Sequence, residues 1–266
     1  MPALARRGRV GGCRTQVRGR RLLEKPALPP SHAATPAPLR PTSCAWPPTP
    51  RPGDPNMAIR NVSHNLVNVG RVVRRDVFNS LRYGKSAPLT LQRIWINPQH
   101  IGSYTTEFSN HHSGLVRSGD WDLATMPISS DLKWQACRQR WLEGSTWEET
   151  GLIHVLLKRI ERSGSHDGCR SHAELVLRYK RIDEMFERIA SEAKLGTVRE
   201  ARKSPFWMRE HGGILVHIGR DCLPIFGGKG NHRLAAATIL GLDEIPAQVG
   251  VVHKSSLAEW KQRFVR

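Results

Sequence analysis

Between residues 171 and 196 the apolar positions Leu175, Tyr179, Ile182, Phe186 and Ile189 recur at alternating steps of four and three. That is the stripe of an amphipathic helix. Ser171 with Glu174 forms a capping box at its start, and Gly196 is the expected stop. The same period predicts a helix over 131–143, with Trp134, Cys137 and Trp141 on one face and Gly144 ending it. A further helix carries Leu152, Leu156 and Ile160, with Ser145 and Glu148 as its expected capping box. Before this helical middle, VGRVVRRDVFNSLRYG (69–84) suits a short basic helix. LQRIWI (91–96) alternates and stops at Pro98, as a strand does, and GLVRSGDWD (114–122) reads as a short strand and a turn with two carboxylates.

After residue 206 the pattern changes. GGILVHIG (212–219) is a strand and RDCLPIFGGKG a glycine-rich loop; NHRLAAATILG (231–241) is a helix with its stop glycine. LDEIPAQVGVVH continues as a turn and strand, and SLAEWKQRF as a terminal helix. Leu234 to Leu240 is apolar almost all round, which implies a buried crossover helix between strands. The fold class expected is α+β: a mixed, mainly helical region over 57–205, then a small β-loop-α-β domain over 206–266.

Residues 1–56 hold 12 of the 18 prolines, ten Arg or Lys and two acids. So many prolines exclude a paired strand or packed helix, and the apolar content is too low to offset ordering entropy. A translation start at Met57, a disordered basic arm and a targeting segment are the three alternatives; a secretory signal is excluded for lack of an apolar core. No apolar run approaches the ~20 residues of a membrane span, so no membrane partner is expected. Five scattered cysteines without a C-x-x-C pair argue against a disulfide framework or a zinc finger, and a cytoplasmic location is expected. His100, His111 and His112 lack ligand spacing, so no metal site is expected. The net charge of +18 favours polyanionic ligands.

The strongest chemical signal is Gly227-Gly228-Lys229-Gly230 running into Asn231-His232-Arg233. Glycines permit close backbone approach, and the N–H groups of a helix's first turn favour an anion. Gly228, Lys229, Gly230, Asn231, His232 and Arg233 are the candidate phosphate-binding residues, Arg233 as a bidentate grip. Neither a Walker A loop nor G-x-G-x-x-G is present. Glu210, just before the strand into the loop, is a candidate catalytic or magnesium-holding carboxylate, as are Asp120 and Asp122 provided the GDWD turn folds over the loop. The tryptophans read as core packing. Lys158, Arg159, Arg162, Arg178, Lys180, Arg181 and Arg188 give the helices basic outer faces that keep DNA open as a ligand.

The segment HIGRDCLPIFGGKGNHRLAAATILGLDEIPAQVGVVH resembles the core of the ParB/sulfiredoxin-like superfamily in Gly230, His232, Arg233, Leu240, Gly241, Ile245 and Pro246. The resemblance covers about residues 210–253. It implies nucleotide-phosphate binding at this loop, with ATP or another nucleotide, and magnesium where the carboxylates allow it. Sulfiredoxins carry cysteine where this chain has Asn231, which argues against thiol chemistry there. The expected function is binding of a nucleotide or phosphorylated small molecule, with phosphoryl transfer as the reaction class; the alternative is a non-catalytic DNA-associated ParB-like module.

Overall fold

The structure, a computed structural model, describes residues 56–198, 200 and 209–266, with side chains from residue 69 onward. The chain divides into two units, Met1–Arg51 and Pro52–Arg266, and the first lies outside the described residues, as does the proline-rich arm up to residue 55. The helices are α1 (Asn56–Tyr83), α2 (Leu132–Leu142), α3 (Leu152–Ser163), α4 (His172–Glu192), α5 (Asn231–Ile239) and α6 (Trp260–Phe264). The strands are β1 (Arg93–Ile96), β2 (Ser103–Tyr104), β3 (Val116–Arg117), β4 (Met126–Pro127), β5 (Ile214–Ile218), β6 (Pro224–Phe226) and β7 (Ile245–His253).

All seven strands join one mixed sheet in the order β1-β7-β5-β6-β2-β4, with β3 also on β7. β7 is its axis. It is buried at all nine residues, pairs antiparallel with β1 and parallel with β3 and β5, and so reads as a continuous apolar run. β5 and β6 form an antiparallel hairpin, and α5 then returns the chain to β7 parallel to β5, the crossover its apolar sequence predicts. The fold is thus mixed α and β. The boundary expected at residue 205/206 falls between strands of this one sheet, since β1 to β4 precede it and β5 to β7 follow it.

Helices α2 and α4 pack on α5 and share one apolar core with the sheet. Leu175, Tyr179, Ile182 and Ile189 are buried, as their spacing requires, with Phe186 partly buried. Asp183 ties α2 and α4 together: its carboxylate accepts from Arg140, from Trp141 Nε1 at 3.0 Å and from Trp147 Nε1 at 3.1 Å.

Several boundaries differ from the sequence expectation for local reasons. α1 is 28 residues long, not a short segment. The box expected at Ser145 and Glu148 forms one residue later, between Thr146 and Glu149, and caps a turn; α3 starts afterwards at Leu152 behind the left-handed Gly151. α4 ends at Ala193, itself left-handed, before Gly196 is reached. The glycine-rich segment contains β6, because the residues after Cys222 fold back on β5. The terminal helix keeps only its last five residues, preceded by a 3-10 turn at Lys254–Ser256. β2 and β4 were not expected at all.

Candidate functional site

The loop after β6 is laced to β5. Gly227 N donates to Leu215 O at 2.8 Å, and Leu215 N donates to Lys229 O at 3.1 Å. Gly227 must be glycine, because a Cβ would stand 2.7 Å from both His217 Nε2 and Leu215 Cγ. Gly230 takes φ +86° as the N-cap of α5, a conformation that glycine adopts without strain, and it offers no side-chain cap. The first N–H groups of α5 therefore lack the side-chain acceptor that Asp131 gives α2 and Ser171 gives α4. Gly228 is half-buried, and Lys229 is exposed beside this turn.

The candidate residues of the turn point in three directions. Asn231 Nδ2 donates to Asp131 Oδ1 at 3.2 Å, the oxygen that also accepts from Trp134 N. Arg233 Nη2 donates to Gly212 O at 2.5 Å, so its guanidinium reaches back to the entry of β5. His232 turns toward α4, edge-on to Tyr179 at 5.5 Å between ring centres. Its Nε2 is buried without a hydrogen-bond partner. Burial, helped by the nearby Lys133 and Arg178 charges, lowers its pKa to about 3, so the ring is neutral.

Residues that the sequence did not single out for this site complete its surroundings. Lys133, at the start of α2, pairs with Asp167. Asp167 sits in a tight turn, His166-Asp167-Gly168-Cys169, whose Asp-Gly pair has φ of +51° and +80°. An Asp-Gly pair is a hairpin-turn signal, and it was legible in the sequence. From α4 come Arg178 and Tyr179, and Arg178 Nε and Tyr179 Oη are also buried without partners. Arg178 is thus half-buried and turned inward, which corrects its assignment to a basic outer face; Lys158, Arg159, Arg162, Lys180, Arg181 and Arg188 are exposed as expected. Three unpartnered polar atoms, two helix cations and an uncapped helix start so gather at one end of α5. Two of the three, Arg178 Nε–H and Tyr179 O–H, are donors suited to an oxyanion.

Two of the three candidate carboxylates, Asp120 and Asp122, are elsewhere. Asp122 and Asp120 grip Arg220: Asp122 accepts from its Nε at 2.9 Å and its backbone N at 2.8 Å, and Asp120 from its Nη2 at 2.7 Å. These hydrogen bonds hold Asp122 down at about 2. The GDWD turn therefore folds over the β5–β6 hairpin turn, at the opposite end of β5 from the loop, roughly 13 Å away at ~3.3 Å per residue. Glu210 is 1% exposed and accepts from Arg93 Nε at 2.9 Å and Val198 N at 2.8 Å. All three carboxylates serve the fold. So committed, they do not suit a magnesium ion at the loop, and among the described residues no group of three or more His, Cys, Asp or Glu is placed to hold a metal.

His217 is the functional-looking residue that sequence reading passed over. β7 advances three residues, Val249 to Val252, while β5 advances two, Val216 to Ile218. This bulge takes the Val251 N–H off the ladder, and His217 Nδ1 accepts it at 2.9 Å. Fully buried, the ring has its pKa lowered to about 3 by desolvation, and because Nδ1 accepts, the neutral ring carries its proton on Nε2. Gly250 leaves room for it, since a Cβ there would lie 2.1 Å from Nδ1.

Comparison of the chain with protein-family models, with curated proteins and with solved structures finds no match.

Proposed function

We propose that this protein binds a nucleotide or another phosphorylated small molecule at the N-terminal turn of α5, as the ParB/sulfiredoxin-like resemblance implies. The observation that supports this reading is the set of buried, unpartnered polar atoms on Arg178, Tyr179 and His232 beside a helix start with no side-chain cap. A buried donor without an acceptor is costly, and a bound phosphoryl oxygen supplies the acceptor. Exposed Lys229 adds positive charge beside the turn. Phosphoryl transfer is the reaction class that such a cradle suits, because positioned cations and helix-terminus amides carry most of that chemistry.

The test is titration with ATP, ADP, CTP, GTP and inorganic phosphate. Arg178→Gln removes a charge-assisted contact and is expected to weaken binding by about 1.5–3 kcal/mol, roughly 10- to 150-fold. Asp122→Asn, at the far end of the hairpin, leaves affinity unchanged. No saturable binding in the wild type, or binding indifferent to Arg178→Gln, overturns the proposal. The exposure of Lys158, Arg159 and Arg162 on α3 supports the second reading, a DNA-associated module. Steeply salt-dependent DNA binding that is lost when these three are replaced would favour it.

A further inference from the structure

Over its described side chains, from residue 69 onward, helix α1 is mounted with its polar side inward. Arg75 Nη1 donates to His111 O at 2.6 Å and Ser113 O at 2.8 Å, and Asn79 Nδ2 donates to Pro88 O and Gly114 O, both at 2.7 Å. Asp76 accepts from Thr90 N at 2.7 Å and pairs with Arg209 at 2.9 Å. The outward side is apolar: Val73, Val77, Phe78 and Leu81 are 54%, 53%, 56% and 85% exposed. Exposed Arg74 and Arg82 lie along it, Lys85 follows it, and the Arg82 guanidinium lies 5.9 Å from the centre of the Phe78 ring. The one acid of α1, Asp76, is committed to the body of the protein.

This reverses the usual arrangement, in which a surface helix buries its apolar stripe on its own core. We propose that the outward face of α1 docks the protein on an anionic lipid surface. The apolar side chains enter the headgroup boundary, and Arg74, Arg82 and Lys85 meet the lipid charges. The apolar stretch from Val73 to Leu81 spans only ~12 Å at 1.5 Å per residue on a convex helix. A strip of that length on a single helix falls well short of the ~800 Å² per partner of a stable protein interface. A lipid surface requires no complementary groove, only an apolar face with a basic margin. The expectation of no membrane partner rested on the lack of a spanning segment, and a helix lying in the interface needs none.

The experiment is co-sedimentation of the full chain with phosphatidylcholine vesicles, with and without about one-third phosphatidylglycerol, at low and high salt. Binding to the anionic vesicles alone is expected. The double variant Phe78→Glu and Leu81→Glu should weaken it about tenfold or more, while Phe78→Leu preserves it. Both altered residues are exposed, so the thermal midpoint of the double variant should stay that of the wild type, which verifies folding. No binding to anionic vesicles overturns the proposal. Binding that the folded double variant retains overturns it too, by assigning the attraction to charge elsewhere. Self-association in place of vesicle binding, abolished by the same variant, would give the face to a second copy and likewise overturn it.

Discussion

His217 shows how one side chain repairs a backbone irregularity at a cost in pH range. Its imidazole satisfies the Val251 N–H only while neutral, and desolvation lowers its pKa in the fold to about 3. The unfolded chain takes up that proton near the ordinary value of 6.5. The stability His217 confers is therefore complete above pH 6.5 and declines as pH falls toward 3, by up to about 1.4 kcal/mol per pH unit. His232 adds to this decline in the same direction. His217→Asn keeps an acceptor near the Nδ1 position and has no titrating ring. It should lower the thermal midpoint at pH 7.5, where a cavity is left, and make the loss of stability between pH 6.5 and 4 distinctly shallower. Denaturant titrations at several pH values read both effects; a wild-type slope unchanged in the variant would place the proton uptake elsewhere.

Among the elements, α2 and α4 are joined by more than their apolar faces. Two indole N–H groups and the Arg140 guanidinium converge on the Asp183 carboxylate, which lies on the otherwise exposed side of the stripe that begins at Leu175. Asp183→Ala leaves two indole donors and a guanidinium without their acceptor, an expected cost of about 2–4 kcal/mol. Trp141 and Trp147 stand edge to face at 5.9 Å, and Trp141 stacks on Phe186 at 4.3 Å, so the variant should also shift tryptophan emission to the red in the folded state. Unfolding curves followed by fluorescence test both; a loss under 1 kcal/mol would mean that apolar packing alone holds the pair. The i, i+3, i+4 spacing of α4 was legible in the sequence because a helix face is a local pattern. Asp183 was not, because its partners lie on α2 and in the turn before α3.

At the scale of the whole molecule, the sheet binds together what composition divides. β7 has β1 and β3 along one edge, and Trp260 of α6 donates from Nε1 to Ser86 O at 2.8 Å. Residues 206–266 expressed alone lack these neighbours and would expose one edge of a strand buried at all nine positions. They are expected to show the circular dichroism and narrow amide dispersion of an unfolded chain. A cooperative unfolding transition in that fragment would support the boundary at residue 205/206 as a domain division.

The sequence by itself determined the elements whose signal is local. The cap at Ser171 and the periodic apolar positions of α2 and α4 were correctly placed, as were the apolar helix at Leu234 and the strand that became β7. Each is specified within a few turns of chain by side-chain spacing and by residues that start or stop a helix. The tertiary structure decided everything that depends on partners far apart in sequence. Strands β2 and β4, of two residues each, carry no periodicity and exist only because a neighbouring strand offers its edge. Asp120 and Asp122 could be read as catalytic until Arg220, about a hundred residues on, was seen between them. Arg178 belonged equally well to an outer face until α5 was laid beside α4. The apolar face of α1 follows the same logic in reverse. A surface helix usually buries its apolar stripe, yet the hydrogen-bonding of Arg75, Asp76 and Asn79 commits the polar side to the body and leaves the apolar side outward. Spacing specifies which residues share a face, whereas only the assembled chain decides what that face meets.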